Sequence, residues 1–321
     1  MAHLPRVSAW RRVRKPLTEA MFSRFSPYGQ AVCWMLLSCA SFATMWALIR
    51  LTSQTMHPFA LVFWRNLIGS LLLVPIAWPQ RRQLLQRDRL LRHLLRASSG
   101  VIATFGTFYA VANAPLAQVL GINYGAPLVA TIGAIFLLGE QVRARRIAAL
   151  VIGFAGVLVV LRPGQLPFTP GIAAATVAMV STAFSLLAIK RLSATEPSQQ
   201  IVIYSFMLMV PPSLLIALPY LEAPTLDQVW KLLLLGVLAI LGQTGTAHAF
   251  RLAEASAVLP FDFLRFVLVT LYAVLLFGEP FDLLTILGGL MIFCSTVYIA
   301  HREARVATRA TPASVSRVPE A

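Results

Sequence analysis

The sequence predicts an all-α membrane protein: ten transmembrane helices arranged as two inverted five-helix repeats. Three observations carry this. Hydrophobic residues fill 58% of the 321 positions and charged residues only 12%, more apolar surface than a soluble domain of this length can hide. The apolar residues gather into runs of about twenty, the length a helix needs to cross the hydrocarbon core. One stretch of the chain recurs after 139 residues.

The runs fall near residues 29–50, 58–78, 96–113, 116–138, 145–162, 170–189, 200–220, 231–250, 257–277 and 281–300. The first begins too far into the chain for an ordinary cleaved signal, and a second follows at once, so it is read as a retained span. Prolines punctuate the ends: Pro58, Pro79, Pro115, Pro163, Pro170, Pro197 and Pro280 lie at or beside boundaries, where a missing backbone N–H costs little. In the fourth run Gly121 and Gly125 form a G-x-x-x-G that lets helices approach closely. Pro127 then removes an N–H and frees the carbonyl of Asn123. Pro260 comes near the start of the ninth run, where it shapes helix entry.

Orientation follows from the bases, because cytoplasmic loops carry the excess of lysine and arginine. With the N-terminus inside, 22 of the 27 fall on that side; Arg50, Arg162 and Lys231 fall on the other, and Arg65 and Arg265 lie within spans. Both tails, 1–28 and 304–321, are therefore expected in the cytoplasm, disordered or against headgroups. The net charge of +15 sits in tails and short loops without a folded basic face, which points to phospholipid and not to nucleic acid. Cys33, Cys39 and Cys294 lie in apolar runs without metal or redox spacing and are read as packing residues. No cofactor or metal site is indicated.

Aligned on a shared Gly-Glu, Tyr109–Glu140 corresponds to His248–Glu279. Each segment ends a long helix with that pair and is followed by one more span, which divides the chain into repeats at 29–164 and 165–303. Five spans are an odd number, so the second repeat enters the membrane from the opposite face. Two such bundles can rock about a central cavity, which is the geometry of a carrier. Pro127, Glu140, Pro260 and Glu279 mark the repeat. Each glutamate is expected to accept hydrogen bonds from the N-terminal amides of the next helix, where the helix dipole favours an anion.

The run Leu116–Gly164, with Pro127 in its fourth span, Gly-Glu at that span's end and a closing Arg-Pro-Gly, resembles the EamA repeat of the drug/metabolite transporter superfamily. Together with Phe63–Asn66 and Pro260–Glu303 the resemblance covers about residues 29 to 303, and the second half is similar to the branch of riboflavin and S-adenosylmethionine importers. It implies a multi-pass transporter of the inner (plasma) membrane with a small-molecule substrate. Both a monomer and a homodimer fit.

An ionised side chain at mid-membrane costs about 2.5–3.5 kcal/mol, so it survives where paired, wet or functional. Asp262 and Arg265 are one turn apart on one face of the ninth span, placed to form an ion pair. They either lock that helix to a neighbour or line the cavity, where the Arg265 fork could hold a carboxylate or phosphate and Asp262 could carry a proton. Their first-half counterparts are Asn123 and Ala126, so the fold does not need the charges twice. Arg65 lies about 10 Å from the end of the second span; it either snorkels to headgroups or joins Asn66 in a gate. Asn123 and Tyr124 flank the proline-freed carbonyl, a feature of substrate contacts. Gln243 and His248 belong to a polar stripe in the eighth span, with His248 near its end.

These features predict a secondary transporter, not an enzyme, working by alternating access on a small polar or amphipathic metabolite. No phosphate-binding G-x-x-x-x-G-K-[ST] loop is present. Import of a heterocyclic metabolite such as riboflavin is the leading expectation, with export of amino acids, drugs or metallophore-like zwitterions as the alternative. A non-transporting sensor and an intramembrane enzyme are remote, the latter because His248, the embedded histidine, has no nucleophile motif beside it.

Overall fold

The computed structural model describes residues 25–80, 87–126, 128–130, 132–133, 144–162, 167–193, 198–253, 255–280 and 282–310. Pro127, Glu140 and most of both tails lie outside them. Among the described residues every regular element is helical. The helices are α1 (Pro27–Thr52), α2 (Pro58–Ala77), α3 (Arg87–Asn113), α4 (Leu116–Asn123), α5 (Ala144–Leu161), α6 (Pro170–Ser193), α7 (Ser198–Met207), α8 (Val210–Ala217), α9 (Leu226–Leu252), α10 (Ala255–Phe277) and α11 (Leu283–Ala310).

Local chemistry sets the ends. Pro27 follows the cap Ser26, whose hydroxyl accepts from the Gly29 N–H at 3.2 Å, satisfying one of the orphan amides of a helix start. Thr225 precedes α9, and its N–H donates to the Gln228 side chain at 3.0 Å, one half of a capping box.

Five helical segments among the described residues are long and apolar enough to cross a membrane: Pro27–Thr52, Pro58–Ala77, Pro170–Ala188, Gln199–Tyr220 and Leu226–Leu252. Leu116–Ala130, Ile147–Leu161, Leu264–Phe277 and Leu283–Ser295 are apolar but shorter. Arg96, Ser98, Ser99 and Asn113 make α3 more polar than its neighbours. Large apolar side chains such as Val151, Leu215 and Leu275 stay more than 60% exposed, which suits a surface facing lipid. Among the described residues the fold is all-helical, and its apolar segments include five of membrane-spanning length.

The seventh run, expected as one helix over 200–220, is broken at Leu208 and Met209. Pro211 and Pro212 have no N–H to give to the carbonyls of Met207 and Leu208, and the Met209 N–H turns to Phe206 at 3.2 Å. A second break ends α4 at Asn123, where the Gly125 N–H reaches the Ile122 carbonyl at 2.8 Å. Pro260 lies inside α10.

The main helix pairs join early to late parts of the chain: α1 with α9 and α10, α3 with α6, and α5 with α11. Small residues permit each approach. A Cβ on Gly245 would lie 2.7 Å from the Trp34 carbonyl and 3.0 Å from Ser38, and one on Gly106 would lie 3.0 Å from the Ala174 carbonyl and from Ala178. Gly156 and Gly288 face each other, each Cβ position 2.7 Å from the other's carbonyl oxygen. Beside them the Ser295 hydroxyl donates to the Ala149 carbonyl.

Backbone cannot retreat as a side chain can, so Gly288→Val should separate α5 from α11. The expected loss is on the order of 1–3 kcal/mol, read as a lower thermal midpoint by circular dichroism in detergent. An unchanged midpoint would show that the crossing tolerates the extra carbons.

Candidate functional site

The Asp262–Arg265 pair forms on α10 as its spacing predicts: the Arg265 guanidinium donates to the Asp262 carboxylate. Their side chains are 24% and 16% exposed, so the ions meet largely away from solvent, where the mutual attraction offsets part of each one's burial cost. Asp262 also accepts from the Cys39 thiol of α1 at 3.6 Å, which in addition lies 3.5 Å from the Phe261 carbonyl. Cys39 is thus both a packing residue and a donor to the carboxylate.

Aromatic rings wall the cation. The Arg265 guanidinium lies 5.5 Å from the Phe42 ring centre and 5.8 Å from that of Tyr124, a favourable cation–π distance. Gly242 makes room for Phe42, since a Cβ there would be 2.8 Å from the ring. The Tyr124 hydroxyl donates to the Asp262 backbone carbonyl at 2.9 Å, and its ring meets Phe266 and Phe293 at 6.0 and 6.5 Å. The break after Asn123 therefore places Tyr124 against α10. Asn123 itself is half-buried at the last position of α4.

The polar stripe of α9 divides between packing and site. Ser38 donates to the Gly242 carbonyl at 2.8 Å and shares a 2.7 Å hydrogen bond with Thr246, which knits α1 to α9. His248 is not bonded to a loop. Its ring stacks on Trp34 at 4.9 Å, and Nδ1 meets the Thr244 carbonyl at 2.9 Å. Gln243 is half-buried on the same helix. Cys33 is half-buried, whereas Cys294 is exposed, so packing does not describe it.

Arg65 does not snorkel; it is 5% exposed, and its Nη1 donates to the Asn66 side-chain oxygen at 3.0 Å. Its guanidinium lies over the rings of Phe206 and Phe108 at 5.1 and 5.9 Å. The sequence suggested Arg65 with Asn66 and Asp262 with Arg265, and the structure forms both pairs. The two clusters have different partners.

A third network closes the end of the bundle where α1, α3 and α10 finish. The Leu116 N–H, at the start of α4, donates to the Glu279 carboxylate at 2.9 and 3.1 Å. This corrects the expectation for Glu279, which caps a helix 163 residues earlier in the chain and not the one that follows it. The α-helix N-terminus still supplies the amides; tertiary packing chooses which one. Arg50 approaches the same carboxylate at 3.7 Å and donates to the Val111 and Ala114 carbonyls at 2.9 and 2.8 Å. Gly278, at φ +62°, provides the turn that aims Glu279 back. Arg162, at φ +43°, ends α5 and pairs with Asp282 and Thr285 ahead of and within α11. Arg50 and Cys39 were missed in the sequence; a base isolated on the side poor in bases was the available signal for Arg50.

Similarity to known proteins identifies the class, a membrane transporter. The chain belongs to the EamA-like transporter family, whose model matches residues 29–162 and 169–300. It is 27% identical over 285 residues to the S-adenosylmethionine uptake transporter of Rickettsia prowazekii, covering 86% of this chain and 94% of that one. It is 32% identical over 231 residues to the riboflavin transporter of Vibrio cholerae, covering 71% and 77%. The pseudopaline exporter of Pseudomonas aeruginosa is 27% identical over 83% of this chain and 94% of its own. A solved crystal structure shares the fold, with a TM-score of 0.59 at 20% identity over 87% of this chain and 99% of that one. These relatives are transporters, not enzymes.

Burial, above all, raises the affinity of Glu279 for its proton, against the opposing pull of the Leu116 amide and Arg50. The folded state then holds that proton to higher pH than the unfolded chain. The resulting stability is present below the unfolded value near 4.5 and is lost as pH rises through the folded value. The thermal midpoint of wild type should fall relative to that of Glu279→Gln from about pH 4 to about pH 7. Parallel pH profiles would remove Glu279 as the titrating group. Glu279→Ala, which leaves the Leu116 amide uncapped, should cost about 1 kcal/mol in the same melts.

Proposed function

We propose that the protein is a secondary carrier of the inner (plasma) membrane, with ten spans in two inverted repeats, 29–164 and 165–303, and both termini cytoplasmic. The repeat reading is supported by contacts that recur when the halves are exchanged. Gly106 and Gly245 are 139 positions apart, and each meets residues four apart on its partner: Ala174 and Ala178 for one, Trp34 and Ser38 for the other. At the same shift Gly156 corresponds to Ser295 and Gly288 to Ala149, and both resulting pairs touch. The first residues of α4 and α10, Leu116 and Ala255, keep that shift. The excess of bases beside the N-terminus supports the orientation.

The observation that carries the function is the buried Asp262–Arg265 pair walled by Phe42 and Tyr124. In this reading Asp262, Arg265, Tyr124 and Asn123 form the centre of the substrate site, Gln243 and His248 border it on α9, and Arg65 and Asn66 extend it on α2. The rings stack on a flat cargo while the ions engage its polar groups, and alternating access exposes the site to each side in turn. The cargo is a small polar or amphipathic metabolite. Import of a heterocyclic compound is favoured by the named substrates of two relatives, S-adenosylmethionine and riboflavin. Export of a zwitterion is the second reading, favoured by the pseudopaline exporter.

Flux of labelled S-adenosylmethionine and riboflavin in right-side-out and inside-out vesicles tests this. Wild type should move at least one of them, the asymmetry giving the direction, and Arg265→Ala should lower the rate about tenfold or more, because a charge-assisted contact is worth about 1.5–3 kcal/mol. Full activity in Arg265→Ala would take the residue out of the site. A proton-coupled cycle predicts substrate-driven proton movement that disappears in Asp262→Asn; its absence in wild type would exclude coupling through this carboxylate.

A further inference from the structure

One face of α2 holds hydrogen-bond donors that no acceptor among the described residues answers. Asn66 is fully buried, and Arg65 and Ser70 are 5% and 9% exposed. The Arg65 Nε, the Asn66 Nδ2 and the Ser70 hydroxyl have no hydrogen-bond partner among the described residues. Arg65 draws its acceptor from its own neighbour, Asn66. Arg265 has a carboxylate at hand; Arg65 has none among the described residues. A guanidinium does not shed its proton in a protein, and an uncompensated buried cation is costly.

The surroundings are shaped as well as charged. Gly69, one turn beyond Arg65, lets the Phe206 ring press against α2; a Cβ there would be 2.5 Å from it. Phe206 is the penultimate residue of α7, just before the break at Leu208 and Met209, and the Phe108 ring lies 5.9 Å from the same guanidinium. Amide, hydroxyl and guanidinium all offer protons here, and the excess charge is positive. What completes the set is a ligand rich in lone pairs that brings negative charge, and the planar fork of arginine matches a carboxylate or a phosphate.

We propose that Arg65, Asn66 and Ser70 form an oxyanion subsite that takes the carboxylate or phosphate of the transported metabolite between Phe108 and Phe206. This rests on the carrier reading and narrows it: a cargo bearing an acid group is preferred to a neutral one such as riboflavin. The rest of the molecule then reaches towards the aromatic walls of the Asp262–Arg265 site.

Calorimetric titration of the full chain in phosphatidylcholine nanodiscs tests the subsite with S-adenosylmethionine, methionine, inorganic phosphate and, as the comparison that lacks the carboxylate, methionine amide. At least one oxyanion should bind with a Kd of about 10 mM or tighter. Where methionine binds, its amide should bind about tenfold more weakly or worse. Arg65→Gln should weaken oxyanion binding by about tenfold or more, with Arg65→Lys in between. Should Arg65→Gln fail to fold, Ser70→Ala serves in its place and should weaken the same ligand several-fold. No binding by any of the oxyanions, or equal binding by wild type and the variants, overturns the proposal. Loss of that binding in phosphatidylglycerol discs that persists, relative to phosphatidylcholine discs, in salt high enough to screen surface repulsion would assign the subsite to an anionic lipid headgroup and overturn its role for cargo. Arg65-dependent binding without vesicle transport would refute the carrier and leave the subsite standing; transport indifferent to Arg65→Gln would do the reverse.

Discussion

Charge removed from water must find its complement inside the protein, and the packing around Asp262 and Arg265 follows from that constraint. Asp262 and Arg265 neutralise one another on α10, but the pair alone leaves lone pairs and N–H groups unmet. α1 supplies a thiol for the carboxylate and Phe42 for the cation, and α4 supplies Tyr124. Surrounding one ion pair therefore gathers three helices around a point. Those helices can reach it because glycines at 242 and 245 let α9 lie close to α1. Packing and polarity are coupled here: a bulkier residue on α9 would push Phe42 and, through it, the wall of the site.

How much of this was legible in the sequence depends on the range of the interaction. Helical spacing alone places Asp262 beside Arg265, so that pair could be read without coordinates. The neighbouring positions Arg65 and Asn66 were legible as candidates, but their burial was not: a base seven residues into an apolar run can reach headgroups or turn inward, and only the rings of Phe108 and Phe206 decide. Pro211 and Pro212 announced a break in the seventh run, yet the hydropathy around them remained continuous enough to suggest one helix.

Long-range choices were harder still. Glu279 carries the signature of a residue that meets helix amides, and it does meet them; which helix it caps depends on how α10 packs against α4, for which no local pattern exists. His248 illustrates the same limit, since a histidine near a helix end is equally at home on a loop or, as found, stacked on Trp34. Cys39 looked like any small apolar residue until α10 brought a carboxylate to it.

The two bonds from α4 to α10 have a mechanical corollary. Leu116 is tied to the loop after α10 through Glu279, and Tyr124, at the other end of the short helix, is tied to the middle of α10 through the Asp262 carbonyl. A rod pinned at two points cannot pivot about either. α4 and α10 are thus joined as a single plank, and in the carrier reading proposed above any doorway wide enough for a metabolite has to form along its edges.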